Sequence, residues 1–398
     1  MLKRISKIFL FLFLLFDIIY ATELDLFSDK YILYNLNENE VLMEEDANIK
    51  TDIASLTKVM TILVSIENID DFEKEIVITK EMLQGIASDV SVAGFKRGDK
   101  LTYNDLLYGA MLPSGADACH ALAISIAGSK EEFIKLMNKK VEELKLENTS
   151  FANVVGLYDK NNYSSAYDMA QILMYALKNE KFKEVFETKN VTLTNGKELK
   201  STLQYYSKED TSLITGSKTG YIKVAGRCLV STSTVDDVNY LLVTLNAFST
   251  DKSVHVQDHL KIYNYYKDNY KYHTYLDEND ILVTLNTNYT KEKEVKIPSN
   301  IIKKIYHDNT FDKNKVVYEY NGLNEVTYFT EKGTKLGDVT IKYENEIIDT
   351  IELFYDQELT FSFMDALLNH IVEIILCLFI IIAIFRRWKS SFFYLKML

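Results

Sequence analysis

Residues 51–69 read TDIASLTKVMTILVSIENI. Apolar side chains recur at Ile53, Leu56, Val59, Met60, Leu63 and Ile66, a three-and-four spacing that predicts a helix with one buried face. Thr51 or Asp52 stands where a helix N-cap is expected. Ser55 and Lys58 are three residues apart in the first turn, which places both side chains on one face with about 5–6 Å between their Cβ atoms. A free serine hydroxyl is a poor nucleophile and needs an adjacent base. Lysine can be that base only where burial or a nearby cation lowers its pKa toward neutrality, and the apolar surroundings at Met60 and Ile62 allow burial. The spacing alone is common, and Ser249 and Lys252 repeat it.

Two further tripeptides supply what acyl transfer needs beyond a nucleophile and base. Ser114-Gly115-Ala116 follows Pro113 between two predicted helices, and Lys218-Thr219-Gly220 lies in a strand-like run, residues 214–224. Ser114 can relay a proton to a leaving amine. Lys218 offers positive charge, Thr219 a hydrogen bond to a substrate carboxylate, and Gly220 lets one backbone approach another. The N–H of Ser55 at a helix start and the N–H of Tyr221 on the strand make a candidate oxyanion hole. Of the 14 glycines and 2 prolines in 398 residues, eleven glycines fall between Gly85 and Gly226 and Pro113 stands beside Ser114, so special backbone is concentrated around these motifs.

Outward from the motifs, residues 31–45 alternate apolar and polar about Asn-Glu-Asn, which predicts a hairpin. Short strands are expected at 76–78 and 100–102, and helices at 104–111, 117–126, 130–144 and 167–176. From Phe182 strands are expected at 191–193, 214–224, 228–233 and 239–246, closed by a helix over about 254–270. Helices embedded between antiparallel strands make an α+β domain, assigned to residues 22–275. Residues 280–358 contain only strand-like runs between Asn, Gly and Lys clusters and form a second, small all-β domain.

The ends of the chain place it in a compartment. Lys3, Arg4 and Lys7 precede an apolar run, Ile8–Ile19, the pattern of an export signal, expected to be cleaved after Ala21, with an uncleaved anchor as the alternative. Residues 366–385 are almost wholly apolar and long enough to cross a hydrocarbon core, and Arg386, Arg387 and Lys389 follow. The positive-inside rule then makes 386–398 a cytoplasmic tail and puts the rest outside a cell membrane crossed once, with Trp388 as an interfacial anchor. Lys and Arg total 45 against 57 Asp and Glu, a formal charge of −12, which excludes electrostatic attraction to nucleic acid. Cys119 and Cys228, set among apolar residues, read as inert core thiols rather than a disulfide. His255 and His259 read as part of a solvated helix surface. No metal or other cofactor is expected.

In this order the three motifs resemble those of the penicillin-recognising serine transferases, with their Ser-x-x-Lys, Ser-Asp-Asn and Lys-Thr-Gly signatures. The likeness extends to IASLTKVMT (53–61), LLYGAMLPSGADACHALA (106–123), YSSAYDMA (163–170), GSKTGYIKVAGRCLVST (216–232) and the strand run at 331–353. Together these resemble the low-molecular-mass penicillin-binding proteins that are serine-type D-Ala-D-Ala carboxypeptidases. That resemblance implies a β-lactamase-like catalytic domain, a small β domain and a C-terminal transmembrane helix. It implies attack by Ser55 on a peptidoglycan stem peptide ending in D-Ala-D-Ala, with Lys58 as base and Ser114 as relay. Lys218 and Thr219 would hold the terminal carboxylate beside Gly220 and Tyr221, and β-lactams would trap the acyl-enzyme. The β domain would hold the catalytic domain away from the membrane.

Two departures stand out. Ala116 occupies the place of the family's usual Asn, with Asp117 or water as its replacement. The arginine that many relatives use for the carboxylate is missing where 251–258 read DKSVHVQD, leaving Lys252 or His255 as stand-ins. A serine β-lactamase and a non-catalytic scaffold of the same fold are the alternatives. Class A β-lactamases place a deacylating glutamate in a loop, whereas residues 151–168 contain none.

Overall fold

A computed structural model describes residues 24–394; the expected export signal, residues 1–21, lies outside them. In chain order the strands of the first part are β1 (Lys30–Asn35), β2 (Glu40–Glu45), β3 (Glu75–Val77), β4 (Lys100–Thr102), β5 (Asn190–Thr192), β6 (Glu198–Lys200), β7 (Gly216–Ile222), β8 (Gly226–Val235) and β9 (Val238–Ala247). The helices are α1 (Thr57–Glu67), α2 (Tyr103–Met111), α3 (Ala116–Ala127), α4 (Lys130–Glu143), α5 (Ala166–Ala176), α6 (Glu180–Glu187), α7 (Leu203–Tyr206) and α8 (Val254–Asn269). Then come β10 (Tyr270–Leu276), β11 (Ile281–Asn288), β12 (Glu294–Pro298), β13 (Lys303–Asp308), β14 (Val316–Gly322), β15 (Glu325–Thr327), β16 (Lys335–Tyr343) and β17 (Glu346–Phe354), and finally α9 (Phe363–Asn369) and α10 (Ile371–Tyr394).

The chain divides into two compact units at Asp268 and Asn269. In the first, an antiparallel sheet runs in the order β2-β1-β9-β8-β7, so β7 lies at an edge. Alternate residues of β8 and β9 serve opposite layers, as the two-residue period of a strand requires. Cys228, Val230, Leu241 and Val243 join the main core with α1 to α6. From the other face Ser231 and Thr244 bond the two ring nitrogens of His259 on α8, at 2.6 and 3.0 Å. His255 and His259 are therefore buried, not on a solvated surface, because α8 turns that stripe to the sheet. Burial pushes His255 down to about 3 and His259 well below the ordinary imidazole range. Cys119 and Cys228 are buried free thiols.

Helix α1 is buried on every side from Thr57 to Ile66, the core helix of the unit. It is entered through a 3-10 turn, Ala54–Leu56, with no side-chain cap. The expected cap residue Thr51 instead pairs its backbone with Ser164, N–H to O at 2.8 and 3.1 Å, and bonds Asn246 through its hydroxyl. Two helices replace irregular or strand-like chain after Phe182. In α6 the buried set Phe182, Val185 and Phe186 has helical spacing and Asn179 caps the N-terminus; α7 is a single short turn.

The second unit pairs β10 with β13, orders β12-β11-β15 with β11 and β15 parallel, and orders β14-β16-β17. Leu285, Val326, Val339 and Ile341 are among its core residues. Strand β10 begins at Tyr270, opposite Asp308, so the compact second unit starts before the change in residue period at 275–280. The apolar stretch 366–385 is not one helix. It is broken at His370 between α9 and α10, which are bent by 68°. Asp365 and Asn369 bond Tyr289 N–H and the Asn288 side chain, which holds α9 against the β domain and off the α10 axis. Among the described residues no single helix is long and apolar enough to cross a membrane, whereas the bent pair Phe363–Asn369 and Ile371–Trp388 has the length and composition.

Helix α2, which leads into Ser114, starts with a capping box of Thr102 and Asp105. Thr102→Ala is expected to lower unfolding stability by about 1 kcal/mol, the usual cost of a lost N-cap, as measured by urea denaturation.

Candidate active site

The 3-10 turn that carries Ser55 packs against β7 and β8. Lys58 is fully buried; its Nζ donates to Ser55 Oγ at 2.8 Å and to Val155 O at 2.8 Å. Burial lowers its pKa to about 8. Lys218, also buried, donates to Thr219 O at 2.8 Å. It is held well below the lysine range, first by burial and second by the charge of Lys58. The fold thus places two amines in one desolvated pocket, where the neutral form of each is favoured.

A shell of asparagines sets this geometry. Asn153 Oδ1 accepts N–H bonds from Val155, Gly156 and Leu157 at 3.2, 2.7 and 3.1 Å, and so aims Val155 O at Lys58. Asn138 brackets Phe151 through both its N–H and its carbonyl. Asn162 donates to Thr57 Oγ1 at 3.2 Å and accepts from Ala152 N at 3.2 Å. A Cβ on Gly156, which has φ +87°, would lie 1.8 Å from Ala54 O. The loop therefore reaches the turn that carries Ser55 only because that residue is glycine. Residues 151–162 act as a clamp on Lys58. In the YSSAYD block, Asp168 bonds Asn148 N and Thr149 Oγ1 and Ser164 braces Thr51.

Gly220 fits the close approach expected of it: its Cβ would lie 3.2 Å from Ser55 N and 3.1 Å from Ile53 O. Thr219 is buried and its hydroxyl meets Thr202 Oγ1 at 2.6 Å. Tyr221 is on the same edge strand, 54% exposed. Ser114 has φ +61° and its buried Oγ has no hydrogen-bond partner among the described residues. A non-glycine residue held in that region stores strain that the surroundings must maintain.

Asp117 does not replace the missing Asn. Its carboxylate accepts from the N–H groups of Ala93, Gly94 and Phe95 at 2.7, 2.7 and 2.9 Å, which ties residues 91–95 to the start of α3. Ala116 N–H donates to Ser91 O at 2.8 Å in the same zipper. The stand-ins for the carboxylate-binding arginine also change. Lys252 is exposed in a loop with Ser249, and buried His255 is neutral. The cation beside the edge strand is instead Arg227 on β8, opposite Tyr221 in register. It is 6% exposed, donates to Asp251 O at 3.3 Å, and lies 4.6 Å from the Tyr221 ring and 5.7 Å from that of Tyr206. Arg227, Thr202 and the asparagine clamp were missed from sequence. Arg227 becomes visible only once the turn 223–225 sets the β7–β8 register.

A serine beside a buried lysine at the entry to a core helix, faced by a Lys-Thr-Gly edge strand, defines the penicillin-binding and β-lactamase-like class. Solved structures agree. Penicillin binding protein 5 from Haemophilus influenzae superposes with TM-score 0.62 at 23% identity, covering 85% of this chain and 98% of that one. The Streptomyces K15 DD-transpeptidase gives 0.55 at 28%, covering 60% and 97%. A family model described as D-alanyl-D-alanine carboxypeptidase matches residues 19–249. The D-alanyl-D-alanine carboxypeptidase DacF of Bacillus subtilis is 30% identical over 331 residues, 80% of this chain and 79% of that protein. This chain belongs to the D-alanyl-D-alanine carboxypeptidase family of serine peptidases.

Asp117→Ala should release the 91–95 segment: hydrogen exchange at the amides of Ala93, Gly94 and Phe95 should accelerate, with a stability loss of about 2 kcal/mol or more for three charge-assisted bonds. Unchanged protection there would show that the carboxylate does not hold the segment.

Proposed function

We propose that this D-alanyl-D-alanine carboxypeptidase removes the terminal D-alanine from peptidoglycan stem peptides through an acyl-enzyme on Ser55. The observation that carries the assignment of residues is the buried amine of Lys58, 2.8 Å from Ser55 Oγ and lowered to about 8. In its neutral form that amine takes the hydroxyl proton as Ser55 Oγ bonds to the carbonyl carbon between the last two D-alanines. The N–H groups of Ser55 and Tyr221 receive the oxyanion. The C–N bond then breaks and the leaving amine gains a proton through Ser114, whose unpartnered hydroxyl is free to turn. Water hydrolyses the ester and frees Ser55.

The terminal carboxylate is bound by Thr219 and Lys218 with Arg227 behind them. The carboxylate of the incoming substrate favours protonation of Lys218, and the Arg227 guanidinium supplies a second positive charge. β-Lactams, which imitate the dipeptide, acylate the same serine. Water takes the place of the absent Asn side chain at Ala116. The 151–162 loop supports hydrolysis of peptide over that of β-lactam: it is engaged in clamping Lys58 and carries no glutamate for a deacylating water.

We also infer that α10 enters the cell membrane from Ile371, with Arg386 and Arg387 at the cytoplasmic side and the catalytic unit outside. Supporting this are the apolar run Ile374–Phe385 and the flanking charge. Resistance of the chain to alkaline carbonate extraction is the expected result.

The full chain in detergent should release D-Ala from a pentapeptide stem and take a fluorescent penicillin label that Ser55→Ala abolishes. Labelling without D-Ala release would favour the scaffold, and rapid penicillin turnover the β-lactamase. Lys58→Arg, which cannot deprotonate, should slow acylation roughly 10²–10⁴-fold, the range for loss of a positioned base. Because neutral Lys58 is the active form, the acylation rate should rise with pH through about 8 and level off above it. A rate flat from pH 6 to 10 would remove Lys58 from the role of base. Arg227→Ala should raise KM for the peptide more than it lowers kcat.

A further inference from the structure

Arg227 carries a positive charge into a place without a counter-charge. It is 6% exposed, and its Nε donates to a backbone carbonyl, Asp251 O, at 3.3 Å. Among the described residues neither Nη has an acceptor and no carboxylate pairs with the guanidinium. Burying a charge without an anion is costly, so other groups must stabilise it in the free enzyme. Two aromatic rings are in place to do so. The Tyr221 ring centroid lies 4.6 Å from the guanidinium carbon and that of Tyr206 lies 5.7 Å away. Within about 6 Å the ring quadrupole attracts a cation.

Strand geometry puts this cation beside the motif. Arg227 is opposite Tyr221 in the β7–β8 register, and Tyr221 is two residues, about 7 Å, along the strand from Thr219 on the same face. Tyr221 comes with the motif strand, but Tyr206 does not. It closes α7, and the segment that carries it is tied at several points. Leu203 is buried, Thr202 N–H donates to Leu112 O at 2.9 Å, and the hydroxyls of Thr202 and Thr219 meet at 2.6 Å. Behind Tyr206, the His255 ring packs edge-on at 5.4 Å and 68°. Burial and the Arg227 charge push His255 down to about 3, so a neutral imidazole, not a second cation, backs the tyrosine. Tyr205, one residue earlier, is 73% exposed and takes no part in these contacts.

We propose that Tyr206 is a positioning residue for substrate: its ring holds the Arg227 guanidinium beside Thr219, so that a free C-terminal carboxylate meets a charge already in place. Helix α7 is thereby the element outside the three motifs that tunes the enzyme to chain ends. Fixing the guanidinium before binding removes the entropy that a swinging side chain would lose on meeting its ligand. A ligand whose carboxylate is masked gains nothing from the arrangement. The role rests on the assignment of the terminal carboxylate to Thr219, Lys218 and Arg227, and the test separates the two.

The full chain in detergent is acylated with benzylpenicillin and with its methyl ester, in which the carboxylate is masked, and the second-order rates are followed by intact-mass spectrometry. Tyr206→Leu should slow acylation by the free acid about 3–30-fold, the range of a ring–cation contact, and leave acylation by the ester unchanged. The unchanged ester rate also certifies the fold. Tyr206→Phe keeps the ring and should match the unmodified chain. On a pentapeptide stem Tyr206→Leu should raise KM and leave kcat within about twofold, the pattern of lost ground-state binding. Equal slowing of acid and ester by Tyr206→Leu overturns the proposal, as does slowing by Tyr206→Phe as large as that by Tyr206→Leu. Arg227→Ala probes the assignment beneath it. If the preference for acid over ester survives Arg227→Ala, the arginine does not bind the carboxylate and both readings fall. A preference lost in Arg227→Ala but kept in Tyr206→Leu overturns the role of Tyr206 alone. If the unmodified chain releases no D-Ala while its preference for the acid still depends on Tyr206, the peptidase reading fails and the role of Tyr206 stands.

Discussion

The catalytic unit depends on an amine kept in a place where charge is costly. Lys58 is wholly buried and its two hydrogen bonds go to a hydroxyl and a peptide carbonyl. A carboxylate partner would hold it protonated. The carboxylate nearest to that role, Asp117, is engaged with three backbone N–H groups. The same carboxylate that orders the 91–95 segment is thereby kept from neutralising the lysine by direct contact, and a second buried amine, Lys218, adds to the bias against charge.

Around that amine the fold is organised by backbone reach. Ser55 stands on a turn between two glycine approaches, Gly156 from the clamp loop and Gly220 from the edge strand, each too close to admit a Cβ without displacement. Ala54, with φ +47°, accepts a strained conformation at the centre of this contact. The helix that follows is buried all round, so the strain is held by packing rather than by a cap. Helix α1 accordingly lacks the side-chain cap that Ser129 and Ser165 provide for α4 and α5.

What was legible beforehand follows from this division. Periodicity located α1 to α5, the hairpin β1–β2 and the strands β7 to β9, although α1 is buried all round and not on one face alone. The motifs led to the expectation that Ser55, Lys58 and Gly220 come together, and in the structure they meet. The asparagine clamp was not legible: Asn138 and Asn162 reach Phe151 and Thr57, 13 and 105 residues away, and isolated asparagines read as turn formers. His255 and His259 were misplaced because Lys and Tyr neighbours on α8 suggested solvent, while the two hydroxyls that bond His259, on Ser231 and Thr244, come from strands over ten residues away in sequence. Helix α9 was merged into one apolar run, since the partners that turn it aside, Asn288 and Tyr289, belong to another part of the chain.

Strand β7 closes the sheet at one side, and among the described residues its outer edge has no strand partner. Backbone N–H and C=O groups on such an edge recruit any extended peptide. For an enzyme whose substrate is a short peptide this is a means of selection by shape: a stem peptide can align along the edge as a temporary sixth strand before chemistry begins. The same edge is open to a neighbouring protein over little of its length, because Gly216 to Gly220 are buried and only Tyr221 and Ile222 reach solvent. A narrow peptide tail can enter such a recess where the surface of a folded neighbour cannot.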